Sequence, residues 1–273
     1  MSDEIEYEEP DIDTYLRYLK ETDPLREQLN LEIIEWLELP QASNGLDIGC
    51  GGGTQALMLA DAVGPNGHVT GLDIRPEFIK YAKTVAQEKG LSERTSFREG
   101  DFNRLPFDNN AFDWVWSSDC IGYEPPTQEI VRVIKPGGSL NLSLWSSEQL
   151  LPGYPILEAH LKATSGGIAP FTDRSKPQSH PFRTLAKFKA LGLTALKAAT
   201  FINTVHAPLR AVIRQGITDI LEMRWPGVEG ELSKDDLDLY KRITDPNSPD
   251  FILNLPDYYG FFTYSVFRGW VPK

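Results

Sequence analysis

The sequence has little basic charge, few cysteines and no metal-ligand motif. Its 273 residues contain 27 Lys and Arg against 39 Asp and Glu, which gives a formal net charge of −12. This deficit of basic residues argues against a nucleic-acid partner, because phosphate binding requires a basic surface. Two cysteines, Cys50 and Cys120, are too few for a disulfide framework or a cysteine-rich metal site. We therefore predict no bound metal and no nucleic-acid partner.

Long apolar runs are also missing, since none approaches the ~18–20 residues that a membrane-spanning helix requires. The first residues are acidic where a signal peptide would be basic, which predicts a cytoplasmic location. Hydrophobic residues make up 41% of the chain and charged residues 24%, as in ordinary globular proteins. Residues 1–13 contain seven acids and no base, a pattern typical of a solvated tail. Composition therefore favours a globular enzyme or binding protein.

Short apolar strands alternate with helical stretches up to Trp145. Such alternation implies crossover connections, and therefore a doubly wound α/β sheet with helices on both faces. Before the first strand the apolar spacing is helical, and Pro24 stands where a second helix could begin. Before the fifth strand we predict a helix over Thr127–Ile134, ended by the sequence Lys135-Pro136-Gly137-Gly138.

We predict one domain over residues 1–273. Its parts are a tail and helical extension (1–40), a ligand-binding core (41–145), two insertions (146–180 and 207–257) and segments that complete the sheet (181–206 and 258–273). Insertions of this length in an α/β domain are often functional, so we interpret them as substrate caps. In the second one, Ser233 and Asp236 have the spacing of a helix capping box.

The strongest local signal is Asp47-Ile48-Gly49-Cys50-Gly51-Gly52-Gly53, between a predicted strand and a predicted helix. Glycines there allow a tight turn and close approach of a ligand, and the helix offers free N–H groups to an anion. Asp73 ends the next strand, where doubly wound domains place the acid that binds ribose hydroxyls. The G-x-G-x-x-G fingerprint of nicotinamide-cofactor dehydrogenases would need a glycine at position 54, which is Thr54. A dehydrogenase is therefore the weaker hypothesis.

Five sequence blocks in order resemble those of class I S-adenosylmethionine-dependent methyltransferases, in the ubiquinone-biosynthesis-like (type 11) group. The blocks are Gly45 to Gly53, Val69 to Ile74, Glu99 to Phe102 with Leu105-Pro106-Phe107, Phe112 to Ser117, and Val133 to Leu140. The resemblance covers about residues 45–145 and implies a Rossmann-like seven-stranded sheet, mostly parallel, whose last strand (Phe261 to Val271) is antiparallel. It also implies S-adenosylmethionine as methyl donor and S-adenosylhomocysteine as product.

The resemblance further implies roles for individual residues. Gly49, Gly51 and Gly53, with Cys50 in the same loop, would line the methionine moiety, and Asp47 would steady the loop or the amino group. Asp73, followed by Ile74, would bind the ribose hydroxyls. The adenine amine would bind Asp101 beside Phe102, and the backbone at Ser117 would face the methionine end. Two structural alternatives stay open, in which Asp73 caps the next helix and Asp101 only closes a turn.

The acceptor side is less well defined. Tyr123 follows the fourth strand, where this family faces its acceptor, and His160 lies in the first insertion, so we predict both as catalytic candidates. Aromatic residues in the insertions suggest a small hydrophobic or aromatic acceptor, a quinone among the alternatives. A second hypothesis is a non-catalytic domain that binds the donor or its product as a sensor or partner. The sequence does not predict the oligomeric state.

Overall fold

A computed structural model describes residues 11–121, 127–168 and 177–273 of the chain. These residues divide into two compact units. The first, which we call the sheet unit, comprises residues 28–121, 127–146, 177–201 and 263–273. The second, which we call the helical unit, comprises residues 11–27, 147–168 and 202–262.

The secondary structure alternates as predicted in the first half of the chain. The strands are β1 (Asn44–Ile48), β2 (His68–Asp73), β3 (Thr95–Glu99), β4 (Phe112–Ser118), β5 (Ile134–Gln149), β6 (Thr194–His206) and β7 (Tyr259–Trp270). The α-helices are α1 (Ile12–Leu37), α2 (Thr54–Ala62), α3 (Pro76–Glu88), α4 (Gln128–Arg132), α5 (Pro155–Ala163), α6 (Ser165–Ile168), α7 (Thr184–Ala190), α8 (Ala211–Arg224) and α9 (Lys234–Thr244). Short 3-10 helices cover Pro177–Ser179, Pro181–Arg183, Val228–Gly230 and Ile252–Asn254.

The strands form a seven-stranded sheet in the order β3-β2-β1-β4-β5-β7-β6. Strands β1 to β5 pair in parallel. Strand β7 runs antiparallel to β5, because the Gly137 amide donates to the Val271 carbonyl (2.9 Å) while the hydroxyls of Ser146 and Thr263 meet at 2.8 Å. The predicted doubly wound sheet with an antiparallel last strand is confirmed. Strand order reverses between β1 and β4, and ligands of such sheets bind at the carboxyl ends of the strands at that point.

Two local predictions are wrong. Pro24 does not begin a second helix, because α1 continues through it from Ile12 to Leu37. The buried stripe of α1 is continuous across this proline, with Tyr18, Leu25 and Leu29 all buried at helical spacing. Apolar burial thus outweighs the cost of the missing backbone N–H group.

The second wrong prediction concerns the segment before the fifth strand. Helix α4 ends at Arg132, and Lys135-Pro136-Gly137-Gly138 lies inside β5 and not at a helix end. Gly137 has a φ of +80°, and its amide donates to the carbonyl of Val271, the residue after β7, so glycine allows a backbone conformation that other residues rarely adopt. Backbone hydrogen bonds to Val271, which is distant in the sequence, therefore determine the conformation of this segment.

The described helices include none that is both long enough and apolar enough to cross a membrane. In the helical unit, Ser233 caps the start of α9 and pairs with Asp236, the two residues of the predicted capping box. The Ser233 hydroxyl accepts a hydrogen bond from the Asp236 amide at 3.2 Å, and it donates to the Asp236 carboxylate at 2.9 Å. Local sequence chemistry therefore fixes this helix start.

Candidate functional site

The glycine-rich loop joins β1 to α2 and folds back onto the end of β2. The amides of Gly49 and Cys50 both donate to the Leu72 carbonyl, at 2.8 and 3.0 Å. The Gly53 amide donates to the Cys50 carbonyl at 2.9 Å, and α2 starts at the next residue. Among the described residues no side chain caps the start of α2, which lies at the carboxyl edge of the sheet.

This loop needs glycine for two separate reasons. Gly49, Gly51 and Gly53 have φ values of +73°, +49° and +84°, in the left-handed region that side chains rarely adopt. A Cβ atom at Gly49 would also lie 2.5 Å from the Cβ and Sγ atoms of Cys120. The bare backbone therefore forms the surface at the point where strand order reverses.

Asp47, near the end of β1, lies beneath this loop. Its side chain is 1% exposed, and its Oδ2 atom has no hydrogen-bond partner among the described residues. Burial, together with the nearby negative charge of Asp73, raises the pKa of Asp47 to about 8. A buried carboxyl oxygen without a partner is costly unless something else binds it.

Asp73 ends β2 and links that strand to the loop. Its Oδ2 atom accepts a hydrogen bond from the Gly51 amide and its Oδ1 atom accepts one from the Arg75 amide, both at 3.0 Å. The N-cap residue of α3 is Arg75, so Asp73 does not cap that helix. Each carboxylate oxygen keeps a lone pair for a further donor. Ile74, the next residue, is 65% exposed, a large apolar side chain at the same edge.

Asp101 and Phe102 follow β3 at the same edge of the sheet. Asp101 is exposed, and its Oδ1 atom accepts hydrogen bonds from the amide (2.8 Å) and side-chain nitrogen (3.1 Å) of Asn103. The carboxylate thus closes a turn, which was one of the two predicted roles. Phe102 packs against the hydrophobic core of the sheet unit. Turn closure still leaves the Asp101 Oδ2 atom able to accept from a ligand.

Ser117 and the two cysteines are the remaining side chains beside the glycine loop. The Ser117 side chain is 1% exposed, and its Oγ atom accepts a hydrogen bond from the Ile121 amide at 3.3 Å. Burial raises the pKa of the Cys50 thiol and raises that of Cys120 to about 12. Both thiols are therefore protonated at neutral pH, so neither is a ready nucleophile.

Comparisons with known proteins agree with this geometry. Residues 46–138 match the profile of a family described as "Methyltransferase domain". Over this stretch the chain therefore contains a methyltransferase domain. The match includes Asp47, the glycine loop, Asp73, Asp101 and Ser117.

Individual relatives share this methyltransferase domain. A demethylmenaquinone methyltransferase of Listeria welshimeri is 32% identical over 127 residues, which is 45% of this chain and 53% of that protein. A sterol 24-C-methyltransferase of Gibberella zeae is 38% identical over 104 residues, which is 37% of this chain and 27% of that protein. The chain therefore aligns with about half, or less, of the length of these relatives. The solved structure of the YcgJ protein of Bacillus subtilis has a TM-score of 0.54 at 20% identity, over 90% of this chain and 99% of that one.

Neither catalytic candidate is among the described residues of the sheet unit. Tyr123 is outside the described residues. His160 belongs to the helical unit, where its Nδ1 atom lies 2.9 Å from the Asp236 Oδ2 atom. The His160 hydrogen bond is the main reason that the pKa of Asp236 lies below its usual value. With Thr164 and Glu231, the pair borders a cavity of about 330 Å³.

Sequence reasoning missed a hydrogen-bonded group at the end of β4. Asp119 follows that strand with a φ of +50°, and Tyr264 of β7 donates to its Oδ2 atom at 2.6 Å. An acid directly after a strand was a visible signal for Asp119, whereas nothing local pointed to Tyr264. Among the described residues, no cluster of three or more His, Cys, Asp or Glu could hold a metal ion.

Proposed function

We propose that this protein transfers the methyl group of S-adenosylmethionine to a small-molecule acceptor and releases S-adenosylhomocysteine. The observation that carries the proposal is Asp47, a buried carboxyl group without a partner at its Oδ2 atom, beneath a left-handed glycine loop. A bound ligand that donates to this oxygen would offset its cost. Asp47 lies at the reversal of strand order, where doubly wound sheets bind their ligands.

The residues at this edge fit the chemical groups of the donor. Asp47 suits the amino group, because a carboxylate accepts hydrogen bonds and attracts an ammonium ion. The loop glycines and the uncapped start of α2 suit the carboxylate of the methionine part. Asp73 suits the two ribose hydroxyls and Asp101 the adenine amine. Ile74 and Phe102 supply apolar surface for the adenine ring, while Cys50 and Ser117 shape the wall.

The donor supplies an activated methyl group on a positively charged sulfur. A lone pair of the acceptor forms the new bond to the methyl carbon as the carbon–sulfur bond breaks and its electrons return to sulfur. The protein contributes mainly by holding the two reactants in line, and orientation alone can lower such barriers by several kcal/mol. A base is required where the acceptor must lose a proton, and His160 and Tyr123 remain our proposed candidates.

A small apolar or aromatic acceptor is the class we propose. The names of the two relatives, a sterol and a demethylmenaquinone methyltransferase, refer to apolar compounds. Of the aromatic residues that suggested this class, Trp225 and Tyr258 are buried in the helical unit and serve packing. Phe182 of the sheet unit is 51% exposed and is the better candidate for contact with an acceptor. The net charge of −12 supports a partner other than nucleic acid.

Calorimetric titration with S-adenosylmethionine tests the proposal, using the native chain and Asp73→Ala. We expect binding by the native chain and a loss of about 100-fold in affinity in the variant, since two charge-assisted hydrogen bonds disappear. Asp238→Ala, which removes an exposed carboxylate of the helical unit, is the matched control and should bind normally.

The same titrations separate the alternative functions. Binding of S-adenosylmethionine without methyl transfer to any of a panel of quinols, sterols and phenols would favour the sensor hypothesis. Binding of NAD in place of S-adenosylmethionine would overturn the proposal and every residue role that depends on it.

A further inference from the structure

The turn after β4 holds a carboxylate in a fixed position across three strands. Asp119 has a φ of +50°, which is uncommon for a residue other than glycine, and its amide donates to the Ser143 carbonyl at 2.9 Å. Its Oδ1 atom accepts from the Trp145 amide at 2.9 Å, and its Oδ2 atom accepts from the Tyr264 hydroxyl at 2.6 Å. The short O–H···O distance is typical of a charge-assisted bond. Backbone strain maintained by several bonds is a feature of functional sites.

The residue that follows Asp119 adjoins the glycine loop. Cys120 follows Asp119 in the chain, and its side chain is the group that would clash with a Cβ atom at Gly49. Besides burial, the negative charges of Asp73, Asp47 and Asp119 all raise the pKa of the Cys120 thiol to about 12. The charges of three carboxyl groups therefore affect the Cys120 thiol beside the glycine loop. Of the three residues, only Asp47 and Asp73 were expected at the proposed donor site.

We propose that Asp119, positioned by Tyr264, makes the site prefer the positively charged donor to its neutral product. This inference rests on the proposed function. S-adenosylmethionine and S-adenosylhomocysteine share the adenosine and amino-acid parts and differ in the methyl group and the charge on sulfur. Contacts to the shared parts cannot distinguish the two molecules by charge. A fixed carboxylate at the methionine end attracts the sulfonium alone, because the Coulomb interaction requires a charge on both partners.

Tyr264 acts on this preference through Asp119 and is a positioning residue. Its side chain is 3% exposed, and its ring lies edge-on to Trp145 with the ring centroids 5.7 Å apart. Tyr264→Phe keeps the ring packing and removes only the hydroxyl group that fixes the carboxylate. The variant therefore separates orientation of Asp119 from packing of the sheet.

Calorimetric dissociation constants for both compounds test the inference, with the ratio of product Kd to donor Kd as the readout. Asp119→Asn should lower this ratio about five- to tenfold, a typical effect of one partly screened charge. Asparagine tolerates the left-handed backbone and keeps the side-chain shape. The product's own Kd should change less than about twofold. Tyr264→Phe should lower the ratio in the same direction by a smaller factor.

Asp113→Asn is the matched control, because it makes the same change at the opposite end of the same strand. Asp113 binds the Asn44 amide and Lys135, both at 2.8 Å, at the amino edge of the sheet. This variant should leave the ratio unchanged. An unchanged ratio in a folded Asp119→Asn variant overturns the inference. If that variant does not fold, an unchanged ratio in Tyr264→Phe overturns it instead. If the native chain binds neither compound, the proposed function itself fails.

Discussion

Asp47 in the sheet unit and Asp236 in the helical unit differ in the hydrogen-bond partners of their carboxyl groups. Asp47 is 1% exposed, and its Oδ2 atom has no partner among the described residues. The Oδ2 atom of Asp236 binds both the Ser233 hydroxyl and His160 Nδ1, each at 2.9 Å. Unsatisfied burial costs stability, which a bound ligand can offset, whereas a satisfied surface pair is ordinary helix structure. This contrast supports our proposal that the donor binds at the glycine-loop edge of the sheet unit.

Substitution of Gly49 should produce the largest effect. Gly49→Ala places a Cβ atom 2.5 Å from Cys120 in a left-handed backbone, so the loop must move. We expect loss of measurable S-adenosylmethionine binding and a fall of about 2–4 kcal/mol in the free energy of unfolding, measured by denaturant titration. Gly90→Ala is the control, because Gly90 also has a positive φ (+69°) but a Cβ atom there meets nothing within 4 Å.

An unchanged Kd for S-adenosylmethionine in Gly49→Ala would contradict the proposal that the donor binds in the sheet unit and not in the helical unit. It would show that the loop is not the surface on which the donor lies, however well the protein folds.

The pH dependence of stability should show the cost of burying Asp47. Its pKa is about 8 in the folded chain and near 3.8 when unperturbed, so the folded state takes up a proton at intermediate pH. Stability contributed by this group therefore falls as pH rises from about 4 to 8. We expect Asp47→Asn to remove part of that decline, so that the native chain loses about 5 °C more in Tm than the variant between pH 5 and 8.

Parallel melting curves of the two proteins without ligand, in buffers of equal ionic strength, provide this measurement. Curves that decline equally would mean that Asp47 is solvated or paired in solution.

The His160–Asp236 pair should give the smallest effect. His160 is 53% exposed at its side chain, and exposed pairs contribute only about 0–1 kcal/mol. His160→Gln should therefore lower Tm by no more than about 2–4 °C and leave the Kd for S-adenosylmethionine unchanged. A weakened donor affinity in this variant would place His160 at the donor site and remove the contrast between the two carboxylates.

The sequence signals for the glycine-loop edge of the sheet are local. A run of glycines after a short apolar strand, and an acid at the end of the next strand, depend on neighbours in the chain. The conformation of Gly137 could not be predicted in this way, because its amide binds the carbonyl of Val271, which is distant in the sequence. Tyr264 and Asp119 are 145 residues apart, so no pattern near either residue predicts their bond. The course of α1 through Pro24 likewise depended on burial of its apolar stripe.

Proton release on ligand binding tests the central claim most directly. Calorimetry at pH 7 in buffers of different ionisation enthalpy counts the protons that leave when S-adenosylmethionine binds. With a pKa of about 8, Asp47 is mostly protonated before binding, and an ammonium group beside it favours the ionised form. We predict release of about one proton by the native chain and none by Asp47→Asn. Equal proton release by the two proteins, or none by the native chain, would contradict the assignment of Asp47 to the donor.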